Sequence, residues 1–145
     1  MVSTQNQFRD SVNEARRMWT EGRQAVLAMH QSGASGAIVV RQMSDVVDRA
    51  IVHLFKTAAA DFSPSLASRI AVVLLGGSGR QDIAPYSDVD LMILYEGPLD
   101  EELRLFSARL REDVTDAGAH LGFSLRTAKE ACAMAMQDPV IASSM

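Results

Sequence analysis

Cysteine is nearly absent from this chain: Cys132 is the only one in 145 residues, so no disulfide framework can form and the sequence suits a reducing compartment. Its place in the apolar run Ala131-Cys132-Ala133-Met134 assigns it to packing. A basic surplus is lacking as well, since 14 Lys and Arg stand against 18 Asp and Glu for a net charge of −4. Such a chain projects no field that gathers nucleic acid, and a polynucleotide partner is not expected. No run approaches the roughly 18 apolar residues of a membrane span. Residues 1–9 are polar, without the basic-then-apolar order of an export signal, so the expected location is the cytoplasm and no membrane partner is expected. Aromatic residues make up only 6% while methionines number 8, which describes an adaptable aliphatic core. The histidines His30, His53 and His120 are too scattered to form a zinc site.

What remains is an apolar content of 48% in a length that suits a single compact domain. Phe8, Val12, Ala15, Trp19, Val26 and Met29 recur at helical spacing and predict a first helix ending near Gln31, where Ser32-Gly33-Ala34-Ser35-Gly36 breaks it. Val39, Met43, Val46, Val47, Ala50, Leu54 and Ala58 write a second, ending near Ser63-Pro64 because the residue before proline avoids the helical region. The uniformly apolar Ile70-Ala71-Val72-Val73-Leu74-Leu75 reads as a strand buried on both faces. A second strand runs from Val89 to Tyr95, interrupted only by Asp90.

Leu99, Leu103, Phe106, Leu110, Val114 and Ala117 predict a third long helix stopped at Gly118, with Glu101, Glu102, Glu112 and Asp113 on its solvated face. Residues 121–125 are a candidate third strand, and Thr127 can cap a last helix that Asp138-Pro139 ends. The expected class is therefore α/β (α+β), a small mixed sheet with flanking helices. Residues 1–64 form a helical lead-in of two leading helices and 65–145 the core.

Two features of the stretch from Leu75 to Leu94 require a joint explanation. Asp88 and Asp90 lie two apart at the start of a strand, so their side chains project from one face about 7 Å apart at the backbone. Paired carboxylates repel unless a proton or cation sits between them, and a hard divalent ion, Mg²⁺ or Mn²⁺, is the natural occupant. Gly76 and Gly77, ending the preceding strand, let backbone N–H groups approach an anion, and a short helix starting there would add its positive end. That makes Asp88 and Asp90 the candidate catalytic metal ligands. Gly76, Gly77 and Ser78 are the candidate triphosphate contacts, with Arg80 as a charge partner.

A hydrophobic residue, Gly76-Gly77, ten residues, then Asp88-Val89-Asp90-Leu91 resembles the signature of the polymerase-beta-like nucleotidyltransferases. More narrowly, Gly76-Gly77-Ser78-Gly79-Arg80 with Ala84-Pro85-Tyr86-Ser87-Asp88-Val89-Asp90-Leu91 resembles the catalytic domain of the bacterial PII-protein uridylyltransferases. Flanking similarity lies in Gly33-Ala34-Ser35-Gly36, Asp48, Leu121-Gly122-Phe123-Ser124-Leu125-Arg126-Thr127 and Asp138. The resemblance implies a nucleotidyltransferase fold and transfer of UMP from UTP to a tyrosine hydroxyl on a PII-type regulator. Two departures stand out: Gln81 replaces the glycine usual in that family, and Gly122 lies where many nucleotidyltransferases carry a third, base-forming carboxylate. The chain also ends before the helical, phosphohydrolase and ligand-sensing regions of such enzymes. That implies a fragment, an excised domain or a minimal relative.

Other readings were open. Asp88 and Asp90 alone could be a capping residue and an ordinary strand residue, and the glycines a plain turn or part of a dinucleotide loop, although Gln81 spoils the last glycine of that pattern. Arg80 and Arg126 serve equally well as structural ion-pair residues. Asp82 reads as a local cap, and Ser87 as a turn former. The alternatives to uridylyl transfer are a small-molecule adenylyltransferase of the antibiotic-modifying kind and a non-catalytic nucleotide-binding module.

Overall fold

The computed structural model describes residues 8–144. The polar N-terminal stretch discussed above lies, for residues 1–7, outside the described residues. Two long helices lead, α1 (Asp10–Gln31) and α2 (Gly36–Ala59), packed along one another. The helices approach closely at Gly22, where an added Cβ would lie 2.6 Å from Val46 Cγ2. Gly33 supplies the positive φ (+98°) that ends α1.

The expected stop at Ser63-Pro64 is the start of a short helix, α3 (Pro64–Ala67), and α2 already ends at Ala59. Proline fits a first helical turn because its missing N–H needs no partner there, and Ser63 Oγ accepts from Leu66 N. β1 (Ile70–Leu75) then runs into a four-residue helix, α4 (Gly76–Gly79), and the chain returns as β2 (Val89–Tyr95). After α5 (Glu101–Asp116) come β3 (Leu121–Thr127), α6 (Ala128–Gln137) and α7 (Pro139–Ser144). Thr127 and Glu130 close a reciprocal capping box at the start of α6. Asp138-Pro139, expected only to end α6, also starts α7, with proline at its first position as at Ser63-Pro64.

The sheet has the order β1-β2-β3, with β1 antiparallel and β3 parallel to β2. Antiparallel pairing of β1 with β2 excludes the parallel βαβ unit that a dinucleotide loop needs. Register places Leu74-Leu91-Phe123 and Val72-Ile93-Leu125 in cross-strand rows on one face. That face packs against a core built from all three long helices, including Trp19, Met43, Leu54, Phe106 and Leu110. Phe106 stands edge-on to Phe55 and Phe62 at 5.8 and 5.5 Å between centroids. The opposite face carries Leu75-Asp90-Gly122, Val73-Met92-Ser124 and Ala71-Leu94-Arg126.

Three expectations need correction. β1 is an edge strand, half-buried with Ala71 exposed, and not sealed on both faces; its apolar run serves one core face and one strand neighbour. Cys132 is exposed, because the inward position of that run falls on Ala131 alone. Asp113 is buried to 1% exposure and paired with Arg9 and Arg109, while Glu102 accepts hydrogen bonds from Ser63 N and Oγ at 2.7 and 2.9 Å. A buried carboxylate persists only where cations compensate its lost hydration, and here Arg9, just ahead of α1, and Arg109 of α5 do so. Asp113→Ala is expected to lower stability by about 2–3 kcal/mol, less than for a fully buried pair because Arg9 is half in water. Urea unfolding measures it.

Candidate active site

The expected acids and the expected bend come from adjacent strands and meet at one end of the sheet. Asp90 pairs across the sheet with Leu75, the last residue of β1, and on its other side with Gly122 of β3. Gly76 follows in the left-handed region at φ +57°, which turns the chain off the sheet edge and toward Asp90. A Cβ on Gly76 would sit 3.3 Å from Asp90 Oδ2, so the carboxylate faces the bend directly. On its other flank, a Cβ on Gly122 would overlap Asp90 Oδ1. Glycine at 122 therefore does more than omit a third acid: its empty side-chain position is occupied by Asp90.

Around this carboxylate opens a cleft of about 300 Å³ lined by Leu75, Asp90, Leu91, Gly122, Phe123 and Ser124. Val89 between the acids is fully buried, and its N–H donates to His120 O at 2.9 Å. With that residue fixed inward, Asp88 and Asp90 are both turned outward and exposed. Neither acid is sealed in the interior. Among the described residues no group of three His, Cys, Asp or Glu converges on a common point, so a cation here would complete its shell with water and ligand oxygens.

The bend itself is tightly built. Gly79 sits where a Cβ would lie 2.5 Å from Leu74 O, which demands glycine, and Asp82 N donates to Gly77 O at 2.8 Å to close the loop. The first N–H groups of any helix lack intrahelical acceptors, so those of α4 are available to an anion. Ser78 is placed differently from the other candidates: it is 4% exposed, and its buried Oγ has no hydrogen-bond partner. Only its backbone shares the bend. Arg80 caps α4, pairs with Asp82 at 3.2 Å and reaches Ser143 O at 3.5 Å. Arg126 is on the same face as Asp90 but four residues along β3 from Gly122, about 13 Å by strand rise.

Gln81 takes φ +59°, the conformation for which glycine is ordinarily needed. The turn is thus kept and the side chain strained. Gln81→Gly is expected to raise stability by about 0.5–1 kcal/mol, the relief of left-handed strain less the added freedom of glycine in the unfolded chain, read as a rise of a few degrees in Tm. Ahead of Asp88, Tyr86 is 73% exposed, and Arg23 of α1 lies 5.5 Å over its ring. The lead-in helix therefore touches the loop that carries the acids. Ser124, noted in the sequence only as part of the flanking resemblance, lines the cleft. It was findable as the next residue of the small, polar series Gly122, Ser124, Arg126 that alternates along β3.

Comparison with known proteins agrees with this geometry. The bifunctional uridylyltransferase/uridylyl-removing enzyme of Acinetobacter baumannii is 32% identical over 117 residues, 80% of this chain and 13% of the relative. The enzyme of the same name from Aromatoleum aromaticum is 26% identical over 144 residues, 99% of this chain and 16% of the relative. That of Mycobacterium tuberculosis is 39% identical over 79 residues, 54% and 10% respectively. The chain thus corresponds to a small part of each relative's length. No helix among the described residues is long and apolar enough to cross a membrane. The glycine bend, the facing acids and the mixed sheet all lie within residues 20–136, which match one family model, and the chain is accordingly a nucleotidyltransferase domain of the family described as "Putative nucleotidyltransferase DUF294".

Proposed function

We propose that this domain transfers a nucleoside monophosphate, UMP from UTP, to a hydroxyl of a PII-type regulatory protein in the cytoplasm, using Mg²⁺ or Mn²⁺ held by Asp88 and Asp90. The observation that carries the reading is the Asp90 carboxylate directed at the Gly76 bend: a site for a cation beside a site for an anion. Two exposed acids to which no lysine or arginine is paired among the described residues fit a hard divalent ion, and the absence of a side chain at Gly76 keeps the space before Asp90 Oδ2 open. When bound, the ion supplies charge neutralisation for the triphosphate.

The chain's own residues then have distinct tasks. Backbone N–H groups of Gly76, Gly77 and Ser78 hold the β- and γ-phosphates and fix the α-phosphorus before the acceptor hydroxyl. The acceptor oxygen forms the new bond to that phosphorus as the bond to the bridging oxygen breaks and pyrophosphate leaves. Gly122 provides no base, so the hydroxyl proton passes to a group outside this set. Similarity to uridylyltransferases supports uridylyl transfer, and the motif resemblance of residues 76–91 supports a protein acceptor.

The test is incubation of the chain with labelled UTP or ATP and a PII-type regulator. Label is expected on the regulator from UTP, to vanish with EDTA and to return with Mg²⁺ or Mn²⁺. Transfer undiminished by chelation would remove the metal from the proposal. Nucleotide binding without transfer would identify a non-catalytic module, and label from ATP on a small molecule would identify an adenylyltransferase.

A further inference from the structure

Away from the acids, a second cavity of about 400 Å³ runs between α2 and β1, lined by Asp48, Val52, Phe55, Ile70, Val72 and Leu74 among others. Its walls are apolar, and Val52 leaves 48% of its surface exposed beside it. One side of the cavity is a free sheet edge, since β1 pairs only with β2 among the described residues. Glu96 N donates to Arg69 O at 2.9 Å, and antiparallel hydrogen bonding alternates from that pair. The backbone groups of Ile70 and Val72 consequently point outward, available to another strand.

Asp48 is the anomaly in this apolar setting. It is half-buried, and among the described residues no hydrogen bond or ion pair to a cation satisfies it. Burial, with Asp45 nearby adding repulsion, holds its carboxyl above the ordinary aspartate value. Arg49 borders a separate depression beside Asp48, where its Nε donates to the backbone oxygen of Asp45 at 3.2 Å and, among the described residues, it forms no ion pair.

We propose that this groove docks an extended segment of the acceptor protein, pairing with the edge of β1 through its backbone and placing a lysine or arginine against Asp48. Three features converge on that occupant. The outward N–H and C=O groups ask for a strand, the apolar walls take alternate apolar side chains, and the unpaired acid asks for a cation. A second copy of this chain fits poorly, because edge-to-edge pairing about a two-fold axis would bring Asp45 and Asp48 of both copies to one seam. Leu74 lines the groove on the core face of the sheet and Leu75 lines the cleft around Asp90 on the opposite face, so the two lie on either side of the same strand end. The inference rests on the proposed protein acceptor and identifies where that acceptor is held.

Docking is tested with a PII-type regulator and the full chain in the presence of Mg²⁺ and UTP. Amide hydrogen exchange at Ile70 and Val72 is expected to slow when the regulator is added, a measurement that needs no turnover. Asp48→Lys and Val52→Glu are each expected to raise KM for the regulator at least tenfold, with kcat and UTP affinity unchanged. Both positions lie on the surface of α2, so circular dichroism should match the parent. Unaltered exchange at both amides, or an unchanged KM in both variants, overturns the proposal. So does protection that rises with the chain's own concentration without regulator, which would assign the edge to a second copy. Protected amides without label transfer would leave docking standing and the transferase reading fallen; transfer without protection would do the reverse.

Discussion

Asp90→Asn should reduce nucleotidyl transfer about 10³-fold, equivalent to about 4 kcal/mol of transition-state stabilisation, while leaving Tm within a degree of the parent. The substitution keeps shape and volume and removes only charge. Asp90 is exposed, and its strand neighbours hold β2 through backbone pairing on both sides, so folding gains little from the carboxylate. Transfer, by contrast, is proposed to depend on that charge lying beside the Gly76 bend. Asp88, on the same outward side across a fully buried Val89, is expected to behave alike. Steady-state transfer rates with thermal denaturation of the same preparations decide it. A variant that retains most of its activity would refute the assignment of the metal ligand.

Gly122→Ala is the second large effect, expected to cost about 100-fold in kcat/KM without loss of stability. A methyl group at this position would overlap Asp90 Oδ1, so the carboxylate must rotate away from β3. Displacement of a reacting or ligating group by about 1 Å is enough for a loss of that size. Alanine in a strand is otherwise no worse than glycine, so the fold should persist or gain slightly. Diminished affinity for Mn²⁺ in parallel with lost activity would locate the damage at Asp90. Unaltered kinetics would mean that the carboxylate rests elsewhere when substrate binds.

Much of this arrangement could be read directly from residue order. The three long helices announce themselves by apolar spacing, and Asp88, Asp90, Gly76 and Gly77 were identifiable because charge opening an apolar strand and glycine closing another are each costly without a purpose. Harder to read was anything set by a neighbour distant in the chain. The apolar run of β1 does not reveal that its strand lies at an edge, since periodicity records which side chains are apolar and not how many strands flank them. Asp113 resembles a solvated helix residue until Arg9, over a hundred positions earlier, is brought against it. Gly122 could be noted as a missing acid, but its occupation by Asp90 emerges only from the parallel pairing of β2 with β3. Ser78, polar in a glycine turn, gave no hint that its hydroxyl turns inward.

The pairing of Leu74 with Leu91 and of Leu75 with Asp90 has one more consequence. Strand side chains alternate faces, so a slip of β1 by a single position would send Gly76 to the far side of the sheet from the acid it now confronts. What forbids that slip is Ile70, Val72 and Leu74, the three residues of β1 packed against the core. Ordinary greasy side chains thus act as the alignment pins of the proposed site. Polar replacements there would disable chemistry by misregistration even in molecules that still fold.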